Sequence, residues 1–140
     1  MRLGGEAVIP KPWTGIDPVA RGIRIVVDAT SGGGGIDVAV PGGTGWRASA
    51  DGKRWSFADP SGSHGGVTRI AIQDRSARED GLLHWRVTGR STAAVVLPDV
   101  QRVRTAVVLG DAGECAALTW NAPGGPRPRC AGDARRLTCR

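Results

Sequence analysis

Apolar and polar residues alternate with a period of two along most of this chain, which is the repeat of a strand with one buried face. From Gly22 to Asp28, Ile23, Ile25 and Val27 fall on one side and Arg24, Val26 and Asp28 on the other. The glycines 32–35 separate this run from Ile36–Val40, where Ile36, Val38 and Val40 alternate with Asp37 and Ala39 before Pro41-Gly42-Gly43 closes the segment. Two such runs around a glycine loop predict a hairpin.

The same pattern predicts strands over Arg54–Ala58, Val67–Asp74 and Leu82–Thr88, and further on over Ala93–Leu97, Val103–Leu109, Ala116–Trp120 and Arg136–Cys139. Between them lie turns with a mechanism. In Asp59-Pro60-Ser61-Gly62 the Asp side chain caps its own backbone, Pro fixes φ and Gly admits a positive φ. No segment carries the 3.6-residue repeat of an amphipathic helix. Nine or ten short strands, with turn chemistry at nearly every gap, predict an all-β fold: a single antiparallel β-sandwich over residues 21–140, with no significant helix. Residues 1–20 are expected to be an extended N-terminal arm, because Pro10, Pro12 and Pro18 disfavour regular structure.

Composition narrows the classes of function. A chain of 140 residues that is 40% hydrophobic makes one globular domain. Its net charge is +6, and since only Lys11 and Lys53 are lysines, almost all of its cations are arginines. Arg forks onto carboxylate or phosphate oxygens in pairs of hydrogen bonds. Anionic partners follow from that balance: nucleic acid, lipid headgroups or acidic polysaccharide. The charges are scattered singly along the strands, however, as in a solvated surface. No run is long enough to span a membrane. Met1–Glu6 offers no apolar export segment, so the chain is expected to be cytosolic, or else the mature or excised part of a longer exported protein.

The three cysteines, Cys115, Cys130 and Cys139, fall near the C-terminus. Their spacing lacks the paired C-x₂₋₄-C of a structural zinc site, and Glu114 beside Cys115 opposes an activated thiolate. No metal, no cofactor and no thiol catalysis are expected. A disulfide is the natural use: Cys115 with Cys130 about the turn at Asn121–Gly125, Cys130 with Cys139 about Gly132–Ala134, or Cys115 with Cys139 between outer strands. Any pairing leaves one thiol over, a candidate for an intermolecular bond; three reduced thiols remain the alternative. The glycine runs carry no Walker-type lysine and no following helix. His64 and His84 sit in no triad, and no G-x-S-x-G elbow exists, so catalytic residues are expected to be none. Among the tryptophans, Trp55 and Trp85 are in phase with core positions. Trp13 and Trp46 lie among Gly and Pro and are the expected exposed pair, with Arg47 and Arg54 as neighbouring contacts for a ligand or partner.

Several strings then form a pattern: Asp17-Pro18-Val19-Ala20-Arg21-Gly22, Pro41-Gly42-Gly43…Trp46, Trp55-Ser56-Phe57-Ala58-Asp59, Val87-Thr88-Gly89-Arg90, Gly113-Glu114-Cys115 and Leu137-Thr138-Cys139. Over about residues 10–140 the chain resembles an uncharacterised β-rich module near the C-termini of predicted exported proteins of myxobacteria and related bacteria. Trp120 stands where that pattern usually has Phe. The resemblance implies an extracellular or cell-surface location and a disulfide, and it supplies no enzymatic residues. The expected function is accordingly a non-catalytic interaction or structural module of a bacterial surface or secreted protein. One alternative is a self-assembling filament or surface-layer subunit, with protein partners or copies of itself joined through the N-terminal arm. A second is an anion- or glycan-binding module.

Overall fold

The computed structural model describes residues 1–13, 16–29, 35–90, 103–109, 114–120, 130–133 and 136–139. Among these, eleven strands and one short helix follow in the order β1 (Arg2–Val8), α1 (Pro18–Arg21), β2 (Ile23–Ala29), β3 (Ile36–Val40), β4 (Trp46–Ala48), β5 (Arg54–Ala58), β6 (Val67–Asp74), β7 (Leu82–Gly89), β8 (Val103–Leu109), β9 (Glu114–Trp120), β10 (Cys130–Asp133) and β11 (Arg136–Cys139). They form two sheets. The larger runs β10-β11-β1-β7-β6-β5-β4 and the smaller β3-β2-β8-β9. All pairings are antiparallel except β1 with β11, which is parallel. The expected all-β sandwich is the fold; the strand expected at 93–97 lies outside the described residues.

The alternation seen in the sequence becomes the core. Leu3, Phe57, Ile70, Ile72, Leu83, Trp85 and Val87 from the larger sheet meet Ile23, Ile25, Val27, Val38, Val40, Val107 and Leu109 from the smaller one in a single buried cluster. Each such aliphatic side chain taken out of water contributes roughly 1.5–3 kcal/mol. On β6 the alternation breaks at its first residue. Val67 lies in phase with exposed Arg69 yet is fully buried, because the register of β6 on β7 shifts between these two residues; an extra residue in the bulge turns Val67 inward.

The N-terminal segment corrects an expectation. Residues 2–8 are not a free arm: β1 lies inside the larger sheet, in register with β7 from Arg2↔Thr88 to Val8↔Leu82, and Leu3 is 1% exposed. The prolines act only after it, at Pro10 and Pro12, where the strand has already ended. One edge of β1 is taken up by β7 along its whole length, while its other edge meets β11 at Arg2↔Thr138.

Two of the sequence strings interlock. Asp17 caps α1 by accepting from the N–H groups of Val19 (3.0 Å) and Ala20 (3.1 Å), with Pro18 at the first helical position. The chain then leaves through Gly22 at φ +76°, where a Cβ would lie 2.1 Å from the Val40 carbonyl oxygen. In return, the Gly43 N–H donates to the Val19 carbonyl (2.7 Å) and the Trp46 Nε1–H to that of Pro41 (2.9 Å). The D-P-x-x-x-G and P-G-G-x-W strings are therefore one corner of the sandwich, built by caps and close backbone approach.

Candidate functional site

The outward side of the larger sheet is where polar chemistry gathers. Across it, the register sets Arg47, Ser56, Ala71, Arg86 and Gly4 in one row from β4 to β1. The next row holds Arg54, Gln73, His84 and Glu6, and on the other side lie Ala58, Arg69, Thr88 and Arg2. Arg2, Arg47, Arg54, Arg69 and Arg86 are all exposed. Among the described residues, none of the five is held in an ion pair. Glu6, the acidic residue on these rows, is already bonded to Arg78 at 3.4 Å.

The middle of this face is low because Ser56 and Ala71 are small. A groove of about 500 Å³ results, with Arg47 and Arg54 on one side, Arg86 and His84 on the other, and Ser56, Ala71 and Gln73 between them; Trp55 reaches its edge while packing against the core. In a sheet with strands about 4.8 Å apart, the backbones of Arg47 and Arg86 stand roughly 14 Å from each other. Burial holds the His84 imidazole below the usual histidine range, the charge of Arg75 adds to that, and Glu6 and Arg86 act in opposite senses with smaller weight. The groove is thus a positive, hydrogen-bonding surface with a titratable group in its wall.

The smaller sheet shows the contrast. On its outward side the Arg24 guanidinium donates through Nε to Asp37 (2.7 Å), and Arg104 donates to Asp28 through Nε and Nη2 (3.2 and 2.7 Å). Asp37 is held below the usual carboxylate range by its hydrogen bond from Arg24. Cations on that face are neutralised where they stand.

Of the residues expected to contact a ligand, Arg47 and Arg54 do line the groove. Trp46 does not: it is 6% exposed, its ring lies against Phe57 with centroids 5.3 Å apart, and its N–H is used by Pro41. Trp13 is half-buried; its N–H donates to the Ile9 carbonyl (2.8 Å) and Lys11 covers its ring at 4.7 Å. Arg2, Arg69, Arg86, Gln73 and His84 were not foreseen as neighbours. The signal that marks them is their shared phase on β1, β6 and β7, once those strands are paired.

His64 packs edge-on against Phe57, with ring centroids 6.0 Å apart. Its sequence neighbour Asp59 is committed to the turn, accepting from the N–H and hydroxyl groups of Ser61 and Ser63. Those hydroxyl contacts hold Asp59 well below the usual carboxylate range. Among the described residues, no three His, Cys, Asp or Glu side chains come together as a metal site would need, and no helix is long and apolar enough to cross a membrane.

The cysteines divide between the sheets. Cys115 lies on β9 of the smaller sheet as an exposed free thiol, which removes the Cys115–Cys130 and Cys115–Cys139 pairings. In the larger sheet, the backbone register sets Cys130 directly opposite Cys139 on the β10–β11 hairpin.

Comparison with protein-family models, with curated proteins and with solved structures gives no match.

Proposed function

We propose that this chain is a non-catalytic β-sandwich binding module of a secreted or surface protein, and that the outward face of its larger sheet holds an acidic polysaccharide. The observation that carries this is the asymmetry between the two outward faces. On the smaller sheet Arg24 and Arg104 are paired with Asp37 and Asp28, while Arg2, Arg47, Arg54, Arg69 and Arg86 of the larger sheet are held in no ion pair among the described residues, the Asp51 charge reaching Arg54 only at longer range. Arginines gathered on one face without ion-pair partners repel one another, and a polyanion relieves that repulsion while accepting paired hydrogen bonds.

The shape of the face favours a polysaccharide over the other polyanions. Single-stranded nucleic acid is held by stacking successive bases on exposed aromatic rings, but Trp46 and Trp85 are buried and Trp55 is packed against the core. Duplex grooves are read by a helix or a two-stranded ribbon that projects into them, whereas this surface is concave. A membrane surface calls for apolar side chains to insert, and Val8 is the large exposed apolar residue among those described.

The test is binding to immobilised dextran sulfate at low and high salt. The double substitution Arg47→Glu/Arg86→Glu is expected to weaken binding about tenfold or more, roughly 0.7 kcal/mol for each reversed charge at an exposed site. Arg24→Gln, on the opposite face, is expected to leave it unchanged. Equal loss in both variants, or no retention of the native protein, removes this function. Tighter binding to single-stranded DNA than to dextran sulfate replaces the partner class with nucleic acid.

A further inference from the structure

We infer that the groove is a subsite for one oxyanion substituent of that polysaccharide, and that His84 becomes the charged wall of this subsite by taking up a proton as the anion enters. The inference rests on the proposed binding face and assigns its centre a ligand group and a pH dependence.

The walls of the groove differ in kind. Arg47 and Arg54 on one side and Arg86 on the other carry charge at every physiological pH. Ser56 and Gln73 at its base offer an O–H and an amide N–H₂ as neutral donors. His84 alone among the lining residues changes charge between about pH 5 and pH 8.

Its surroundings set the sign. On its own strand, Arg86 stands two residues along on the same face. On β6, Gln73 is in register with it, and Arg75, just past the end of that strand, contributes a repelling charge; on β1, Glu6 is in register and already bonded to Arg78. Beyond Gln73, Arg54 of β5 faces it from across the groove. With the groove empty, partial burial and the cations outweigh Glu6, and the imidazole is held toward its neutral form. An oxyanion between Arg54 and Arg86 reverses that balance, because an opposite charge within a few ångströms favours the imidazolium. The proton comes from solvent, adds to the free ring nitrogen, and turns an acceptor in the wall into a second N–H donor. No bond to the ligand forms or breaks. By linkage, affinity rises as pH falls, and a bound ligand raises the pH at which His84 loses its proton.

Dextran sulfate is the appropriate probe, since its sulfate esters do not titrate in this range and any pH dependence belongs to the protein. Native protein is expected to bind it about three- to tenfold more tightly at about pH 5.5 than at about pH 7.5, the size of one pKa unit of coupling or a little less. His84→Gln is expected to flatten that profile. In the unmutated protein, the His84 ring proton resonances followed by NMR are expected to titrate at higher pH with dextran sulfate than without, a readout that does not depend on a variant folding. Inorganic sulfate at matched ionic strength separates a site for a free anion from one that needs the polymer: an equal shift with the salt alone overturns the assignment to a polysaccharide substituent. A pH dependence that survives in His84→Gln, or a His84 titration unmoved by the polymer, overturns the subsite while leaving the arginine face standing if Arg47→Glu/Arg86→Glu still weakens binding about tenfold or more. Absence of salt-sensitive binding at every pH removes both.

Discussion

Cys130 and Cys139 occupy opposed positions on the β10–β11 hairpin, while Cys115 lies on the other sheet with its thiol exposed. Opposed residues of an antiparallel pair have Cα atoms about 4.5 or 5.5 Å apart, and both separations lie within the span a disulfide bridges. Closing so short a loop is expected to stabilise the protein by roughly 2–3 kcal/mol. Peptide mapping after exposure to oxidised glutathione is therefore expected to show Cys130 linked to Cys139 and Cys115 alkylated. A linkage that includes Cys115 within one chain contradicts the register. Sequence alone brought the reader part of the way, since Cys130 and Cys139 are symmetric about Gly132–Ala134. It could not choose among pairings, because which sheet a strand joins is decided by long-range pairing and leaves no local mark. Trp46 shows the opposite failure. Its Gly and Pro neighbours mark a loop, and loops lie at the surface, but Phe57 across the β4–β5 pair and the Pro41 carbonyl give its ring and its N–H a buried place.

At the level of elements, β1 carries the most information because nothing in its own composition announces it. Arg2–Val8 reads Arg-Leu-Gly-Gly-Glu-Ala-Val, with Leu3 as the sole large inward side chain and two adjacent glycines, which are poor strand formers. What makes it a strand is β7, whose whole length it pairs, and Trp85, whose indole lies 3.4 Å from where a Gly5 Cβ would stand. The consequence is measurable. Leu3→Ala is expected to lower unfolding free energy in urea by about 2–5 kcal/mol, the range for removing a fully buried leucine. A loss near zero would mean that residues 2–8 are an arm after all, and would return strand donation to neighbouring molecules to consideration. The strands that were legible, β2, β3, β5, β6 and β7 above all, are those in which two or more branched or aromatic residues recur at every second position. Missed alongside β1 were β4 and β10, of three and four residues, too short for a period of two to stand out.

For the whole molecule, the charge that matters is its distribution. The net charge of +6 was plain from composition, and the arginines looked scattered because Arg2, Arg47, Arg54, Arg69 and Arg86 are far apart along the chain. Pairing β4, β5, β6, β7 and β1 side by side turns that scatter into one face, since every second residue of each strand shares a side of the sheet. A ligand that binds only the folded protein must then stabilise it as a whole. At a dextran sulfate concentration about a hundred times its Kd, the gain is about 2.7 kcal/mol, which for a domain of this size is a rise in Tm of roughly 8 °C. Raising the salt to about 1 M shortens the screening length to about 3 Å and is expected to erase the rise. Arg47→Glu/Arg86→Glu is expected to remove about half of it at low salt, since a tenfold weaker Kd leaves about 1.4 kcal/mol. Uncharged dextran of the same length serves as the reference: an equal rise in Tm with that polymer would mean that the stabilisation comes from sugar contact or excluded volume, and the arginine face would lose its role in binding.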